Sequence, residues 1–169
     1  MQATRLELRR FTDGYMISVQ GRATMHESKP IQAFVETTFD PSSELELLLD
    51  LRECDHMDST FLGLLILLNG SMNRGPGTRF SLVSPSRVCR RSLTMTHLHT
   101  LLPILDEHPD TEPTVEPCEL PVSDVDRETM SRHILECHRA LVGLGGSNQP
   151  SFQRVVERLV SGLAGKEQG

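Results

Sequence analysis

Asp58-Ser59-Thr60 is the segment of this chain best placed to carry chemistry. An aspartate followed by two hydroxyl residues is a helix-start signal. Asp58 can accept from free backbone N–H groups of the first turn, which leaves Ser59 at the helix entrance with its hydroxyl expected to face solvent. A hydroxyl in that place can accept a phosphoryl group. The phosphate would add about −1.5 to −2 charges, and a helix N-terminus favours an anion by about 0.3–1 kcal/mol. Phosphorylation is therefore expected to leave the fold intact and to change what docks there, by repulsion from Asp58 or from a partner carboxylate. Thr60 is the second candidate acceptor. The same residues also read as an ordinary helix cap without regulation, since serine is common at helix starts.

Other constellations are weaker. Ser59 is not in a G-x-S-x-G turn, and no histidine is anchored to it by sequence. His56, three residues away, reads as a solvated loop residue, so no catalytic residue is assigned and no enzyme is expected. His133 and Cys137 form an i, i+4 pair of the kind that binds metal, with His138 beside them, and His97 and His99 lie two apart. None implies a third ligand, so no metal site is expected. Gly75-Pro76-Gly77 lacks the Lys-Ser/Thr of a phosphate loop, and Gly143-Leu144-Gly145-Gly146 does not follow a strand. Both read as turns, and no cofactor is called for.

The elements that must position Ser59 are legible from periodicity. Leu6 and Leu8 alternate with charged residues, Asp13-Gly14 is a turn, and Tyr15 to Val19 is a second strand, together a β-hairpin. His26 to Phe39 has helical spacing with Pro30 in its first turn. Leu45 to Leu51 is a short apolar run between breakers, which reads as a central strand buried on both faces. Phe61 to Leu68 forms the helix after Ser59. A strand at Arg79 to Ser84, a helix after Ser86 and a short strand at Leu101 to Leu105 follow. The order β-β-α-β-α-β-α-β predicts an α/β domain, a mixed sheet of four to five strands with helices packed on it.

Residues 1–107 are expected to form that domain. A Pro- and acid-rich linker follows at 108–122, expected to be extended and mobile. A two-helix extension occupies 123–169. Its first helix, from Ser123 as N-cap to Val142, carries Met130, Ile134, Cys137 and Leu141 on one stripe. Its second, Pro150 to Ala164, carries Phe152, Val155, Val156, Leu159, Val160 and Leu163. Stripes of this strength must meet their own sheet, a neighbouring helix or a second copy, so a homodimer through the tail is one expectation.

Composition narrows the function classes. The 169 residues carry a formal net charge of −6 and no Trp, so the core must be aliphatic. No Lys/Arg cluster with interleaved aromatics supports nucleic-acid binding. No apolar run reaches the roughly 18 residues of a membrane span, and residues 1–10 lack the apolar core of a secretory signal. Cys54, Cys89, Cys118 and Cys137 are far apart and read as reduced thiols of a cytoplasmic protein.

The stretch Leu47 to Leu65, and within it Met57, Asp58, Ser59, Thr60, Leu62 and Gly63, resembles the signature of STAS domains of the anti-sigma factor antagonist type. Val88, Leu93, His97, Leu98, Leu102, Pro103 and Ile104 match the family's third helix and the strand after it. The resemblance covers roughly Thr4 to Glu107. It implies a non-catalytic module in partner-switching signalling and transcription regulation. An unphosphorylated antagonist docks on a kinase-type anti-sigma factor, is phosphorylated on the serine that Ser59 matches, dissociates, and is restored by a phosphatase. The implied partner is an anti-sigma factor or serine kinase, met by Asp55, Asp58, Ser59, Thr60, Phe61, Gly21 and Arg22. Two departures stand out. Phe61 replaces the usual glycine and could cover the serine or join a docking patch, and Gly21-Arg22-Ala23 replaces an acidic loop. The alternative is a STAS scaffold or sensory module that is never phosphorylated and binds a protein partner through the helical tail.

Overall fold

A computed structural model describes residues 3–77 and 79–166; Met1, Gln2, Thr78 and the last three positions of the expected extension, 167–169, lie outside the described residues. Strands β1 (Arg5–Phe11) and β2 (Gly14–Ala23) form the expected antiparallel hairpin, with Phe11 opposite Gly14 across the Asp13 turn. Helix α1 (Met25–Thr38) follows, then β3 (Glu46–Asp50), β4 (Cys54–Met57) and α2 (Ser59–Met72). The chain continues through β5 (Phe80–Val83), α3 (Arg87–Met95), a short 3-10 turn (Leu98–Thr100) and β6 (Ile104–Leu105). It ends with β7 (Cys118–Glu119), α4 (Arg127–Gly143) and α5 (Gln149–Ala164).

The sheet is mixed, in the order β6-β5-β3-β2-β1-β7, with β4 paired to the end of β2. Strands β2, β3, β5 and β6 run parallel, β1 pairs antiparallel to β2, and β7 pairs antiparallel to β1 at the edge. Seven strands are present among the described residues, rather than four or five; the two beyond the expected set are β4 and β7. Cys54–Met57 is too short for alternation to register, and Cys118–Glu119 has only two residues.

Strand β2 pairs with β3 over Gly14–Ser18 and with β4 over Gly21–Ala23, with a register shift at Gly21/Arg22. Gly21 makes the change of partner possible. Its φ of +93° is open to glycine at little cost, and its N–H donates to Glu53 O at 3.0 Å. The redirected strand then accepts from Asp58 N through Ala23 O at 3.0 Å. The bulge thereby sets where α2 begins.

Leu47 and Leu49 point to one face of the sheet, with Ile17, Val19, Phe80 and Leu82, against the helices. Met16, Leu48, Val83 and Phe11 form a smaller cluster on the other face. Strand β3 is thus apolar on both sides, as its leucine run requires. On the second face Asp50 is buried, accepts from Ser18 Oγ at 3.3 Å, and lies 3.4 Å from His108 Nε2.

Segment 108–122 is extended and is tied down along its length. Thr114 N donates to Arg10 O at 2.7 Å, Leu120 N donates to Leu6 O at 2.9 Å, and β7 extends the sheet at β1. The helical extension then crosses back over the helix layer. Cys137 and Leu141 belong to the same core cluster as Leu64 and Leu65. Asp126, not Ser123, caps α4, accepting from Thr129 N at 2.9 Å, so the helix starts three residues later than a cap at Ser123 would place it.

Candidate functional site

The site is built where β4 gives way to α2. Asp58 caps α2 with Oδ1, accepting from Phe61 N at 2.8 Å, and reaches across to the start of α1 with Oδ2, accepting from Met25 N at 2.9 Å. One carboxylate therefore serves the free N–H groups of two helices. Thr24 and Glu27 close the start of α1 with a reciprocal capping box.

Ser59 stands at the first position of α2, and its hydroxyl is not free. Ser59 Oγ lies 2.9 Å from His138 Nε2, on α4, and Ser59 is half-buried beneath that helix. His138 Nδ1 lies 2.9 Å from Ile134 O. A carbonyl only accepts, so Nδ1 carries the proton and Nε2 is the acceptor for the Ser59 hydroxyl. The His138 ring is buried, with its partner ring Phe152 of α5 edge-on at 6.1 Å between centroids.

A second imidazole anchors the same helix. His133 Nδ1 lies 2.9 Å from Gln32 Oε1, and its Nε2 lies 2.6 Å from Ser28 Oγ, both on α1. Gln32 Nε2 donates to Glu136 Oε2 at 3.2 Å, which fixes the amide so that Oε1 accepts from His133 Nδ1–H. Burial, helped by the charge of Lys29, pulls the His133 pKa down to about 4 and keeps the ring neutral. Cys137 sits 3.8 Å from His133 Nε2, and burial with the negative charge of Glu136 pushes its thiol up to about 12. This pair is spent on helix packing. No group of three His, Cys, Asp or Glu able to hold a metal occurs among the described residues.

Between these two anchors, α4 lies on Gly63. A Cβ built there would overlap the carbonyl of Cys137, so α2 and α4 touch backbone to backbone. Glycine at this point is a packing requirement, besides being a position of the motif.

Several expected site residues fall elsewhere than on a docking surface. Phe61 is fully buried in the core, so it forms no surface patch; a large apolar side chain in the first turn of α2 points into the sheet–helix interface. Thr60 is also buried, which removes its hydroxyl from an incoming kinase in this arrangement. Gly21 is buried in the bulge and acts through the backbone. Asp58 has both oxygens committed to N–H groups. Asp55 and Arg22 are exposed near the site. The expectation of a solvent-facing Ser59 is corrected to a half-covered one, because α4 returns over it.

His138 is the residue that sequence reasoning did not join to Ser59. The available signal was α2 itself: Phe61 to Leu68 is apolar on every side, and a helix of that kind needs a layer above it as well as a sheet below. The amphipathic extension is the segment able to supply that layer.

Neither a protein-family model nor a curated protein sequence matches this chain. Solved structures do. A Thermotoga maritima protein described as an anti-sigma factor antagonist superposes with a TM-score of 0.51 at 22% identity, over 57% of this chain and 82% of that one. The anti-sigma factor antagonist SpoIIAA in its unphosphorylated form gives 0.52 at 18% identity, over 62% of this chain and 89% of that one. The fold of this chain is therefore that of the STAS-type anti-sigma factor antagonists. No described helix is long and apolar enough to cross a membrane.

Proposed function

We propose that this protein is a phospho-regulated antagonist in a partner-switching system, a non-enzymatic cytoplasmic module whose switch residue is Ser59. The observation that carries this reading is the placement of one hydroxyl at the mouth of α2, at the end of a buried strand–loop–helix unit, in a fold shared with SpoIIAA. SpoIIAA is described in an unphosphorylated form, which is in keeping with a serine that cycles between two states. The partner is a protein, an anti-sigma factor or serine kinase, reading the surface around Ser59 with Asp55 and Arg22 at its edge.

An oriented Ser–His pair could also suggest hydrolysis. The cavity beside Asp58 is lined by Thr4, Arg22, Thr24, Met25, His26 and Glu27, and Ser59 is not among its walls. The Ser59–His138 pair is a packing contact between α2 and α4, and the serine is the substrate of another enzyme.

The test is phosphotransfer. The full chain is incubated with candidate serine kinases and ATP, and the Ser59 peptide is examined by mass spectrometry. The expected result is phosphate on Ser59 and none on Thr60. An unmodified peptide, under conditions where each kinase modifies its own cognate substrate, would remove this reading. It would favour the alternative, a scaffold or sensory module that binds a partner through α4 and α5 and is never phosphorylated.

A further inference from the structure

Helix α3 buries Cys89 and Leu93 and turns its opposite side to solvent. We infer that this outer side, with a notch at its C-terminal end, is a docking surface for an acidic amphipathic helix of a partner protein. The surface does not include Ser59, needs no movement of α4, and holds whether or not Ser59 is phosphorylated.

Two observations carry it. First, large apolar side chains are left uncovered on one continuous surface. Arg87, Val88, Arg91 and Met95 share the outer face of α3 by helical spacing, and Val88 is 46% and Met95 65% exposed. Where α3 ends, Leu101 and Leu144, 49% and 44% exposed, flank a notch of about 240 Å³ that buried Leu98 and Leu141 also line. Asn148, another residue of the notch, donates through Nδ2 to Met95 O at 3.4 Å, so the notch opens at the end of the α3 stripe. A single exposed leucine needs no explanation, whereas a contiguous apolar surface marks an interaction site. Second, the charge around this surface is segregated. Residues 84–105 and 137–156, which supply it, carry five arginines and no Asp or Glu, in a chain of formal net charge −6. Arg87 and Arg91 are exposed and form no ion pair among the described residues, while Arg90, on the flank of α3, is taken by Asp106.

The shape and the charge together define the occupant. From Arg87 to Met95 the stripe is ~12 Å long, and with the notch it spans about two to three turns of a helix. A helix laid along α3 would seat one apolar side chain between Leu101 and Leu144 and others over Val88 and Met95, in the helix-on-groove manner. Carboxylates on its flank would meet Arg87 and Arg91, which sets its direction and speeds encounter. The acidic remainder of the chain repels the same helix elsewhere. An anionic membrane also pairs arginine with apolar contact, but a concave notch suits a protruding side chain better than a flat bilayer surface.

The test pans the immobilised full chain against a displayed library of random 16-residue peptides. Selected peptides are synthesised, their affinities are measured by fluorescence polarisation, and their site is mapped by amide NMR shifts. The expected peptides carry an excess of Asp and Glu beside apolar residues at helical spacing, and they shift amides over 87–101 and 144–148. The double variant Arg87→Glu/Arg91→Glu should bind them at least tenfold more weakly, and Leu101→Ser at least threefold, with urea midpoints close to wild type because all three positions are exposed. An empty selection, peptides without acidic excess, shifts confined to other elements, or an affinity unchanged in the double variant would overturn the proposal. Phosphatidylglycerol vesicles form a second arm: vesicle binding that shifts the same amides, with no peptide selected there, would replace the partner helix by a membrane surface. Each result is readable whatever the kinase experiment on Ser59 gives.

Discussion

The backbone of Cys137 rests directly on Gly63, with no room for a Cβ between the two helices. Gly63→Ala should therefore destabilise the protein, although alanine is the better helix former by about 1 kcal/mol. The overpacking cost at a tight contact is about 1–3 kcal/mol, and the clash here is with backbone, which cannot rotate away. Gly70 lies in the same helix with nothing near its missing Cβ. Gly70→Ala should stabilise by about 0.4–1 kcal/mol. Denaturant titration of both variants checks the pair; equal effects would show that α4 does not lie on Gly63.

Stability should fall with acid below about pH 6.5. His133 is neutral in the fold, with its pKa pulled down to about 4 by burial, while in the unfolded chain it titrates at about 6.5. Between those values the unfolded state binds more protons, so stability is lost as pH drops and the loss levels off near pH 4. Melting temperatures from pH 7 to pH 4.5 measure the trend. His133→Gln should flatten the part due to this residue.

Asp58→Ala removes an acceptor from both Phe61 N and Met25 N. The expected loss is about 1–3 kcal/mol, the range for a helix cap plus a second N–H left unpaired. Asp58→Asn keeps one carbonyl acceptor and should lose less. Urea midpoints order the three proteins, and an alanine variant as stable as wild type would contradict the bridging role.

Among the four thiols, Cys118 on the β7 edge is exposed, while Cys54, Cys89 and Cys137 are buried. Burial raises the Cys137 thiol to about 12, which further slows its attack. A thiol reagent at pH 8 should label Cys118 rapidly and the other three only on unfolding. Fast labelling of Cys137 in the native protein would mean that α4 does not stay packed on α2 in solution.

The sheet and its three inner helices were legible because their signals are local. Leu6 and Leu8 alternate, Asp13-Gly14 turns, and the Leu47–Leu51 run sits between breakers. The position of Ser59 was legible for the same reason: Asp58 is a cap, and caps are read from neighbours. Its exposure was not, since that depends on a residue 79 positions away. Phe61 went to the core rather than the surface because the sheet lies beneath the first turn of α2, a relation that helical spacing alone does not state. Segment 108–122 has the composition of a free linker, yet its prolines suit an extended edge, where Thr114 and Leu120 can bond to β1.

The account depends most on the contact between the Ser59 hydroxyl and His138. Nitrogen-15 NMR of the histidine rings at pH 8 reads it directly. The prediction is a single His138 tautomer, with the proton on Nδ1 and Nε2 accepting, and an Nε2 resonance that moves in Ser59→Ala. A ring that averages between tautomers and does not notice the substitution would contradict it.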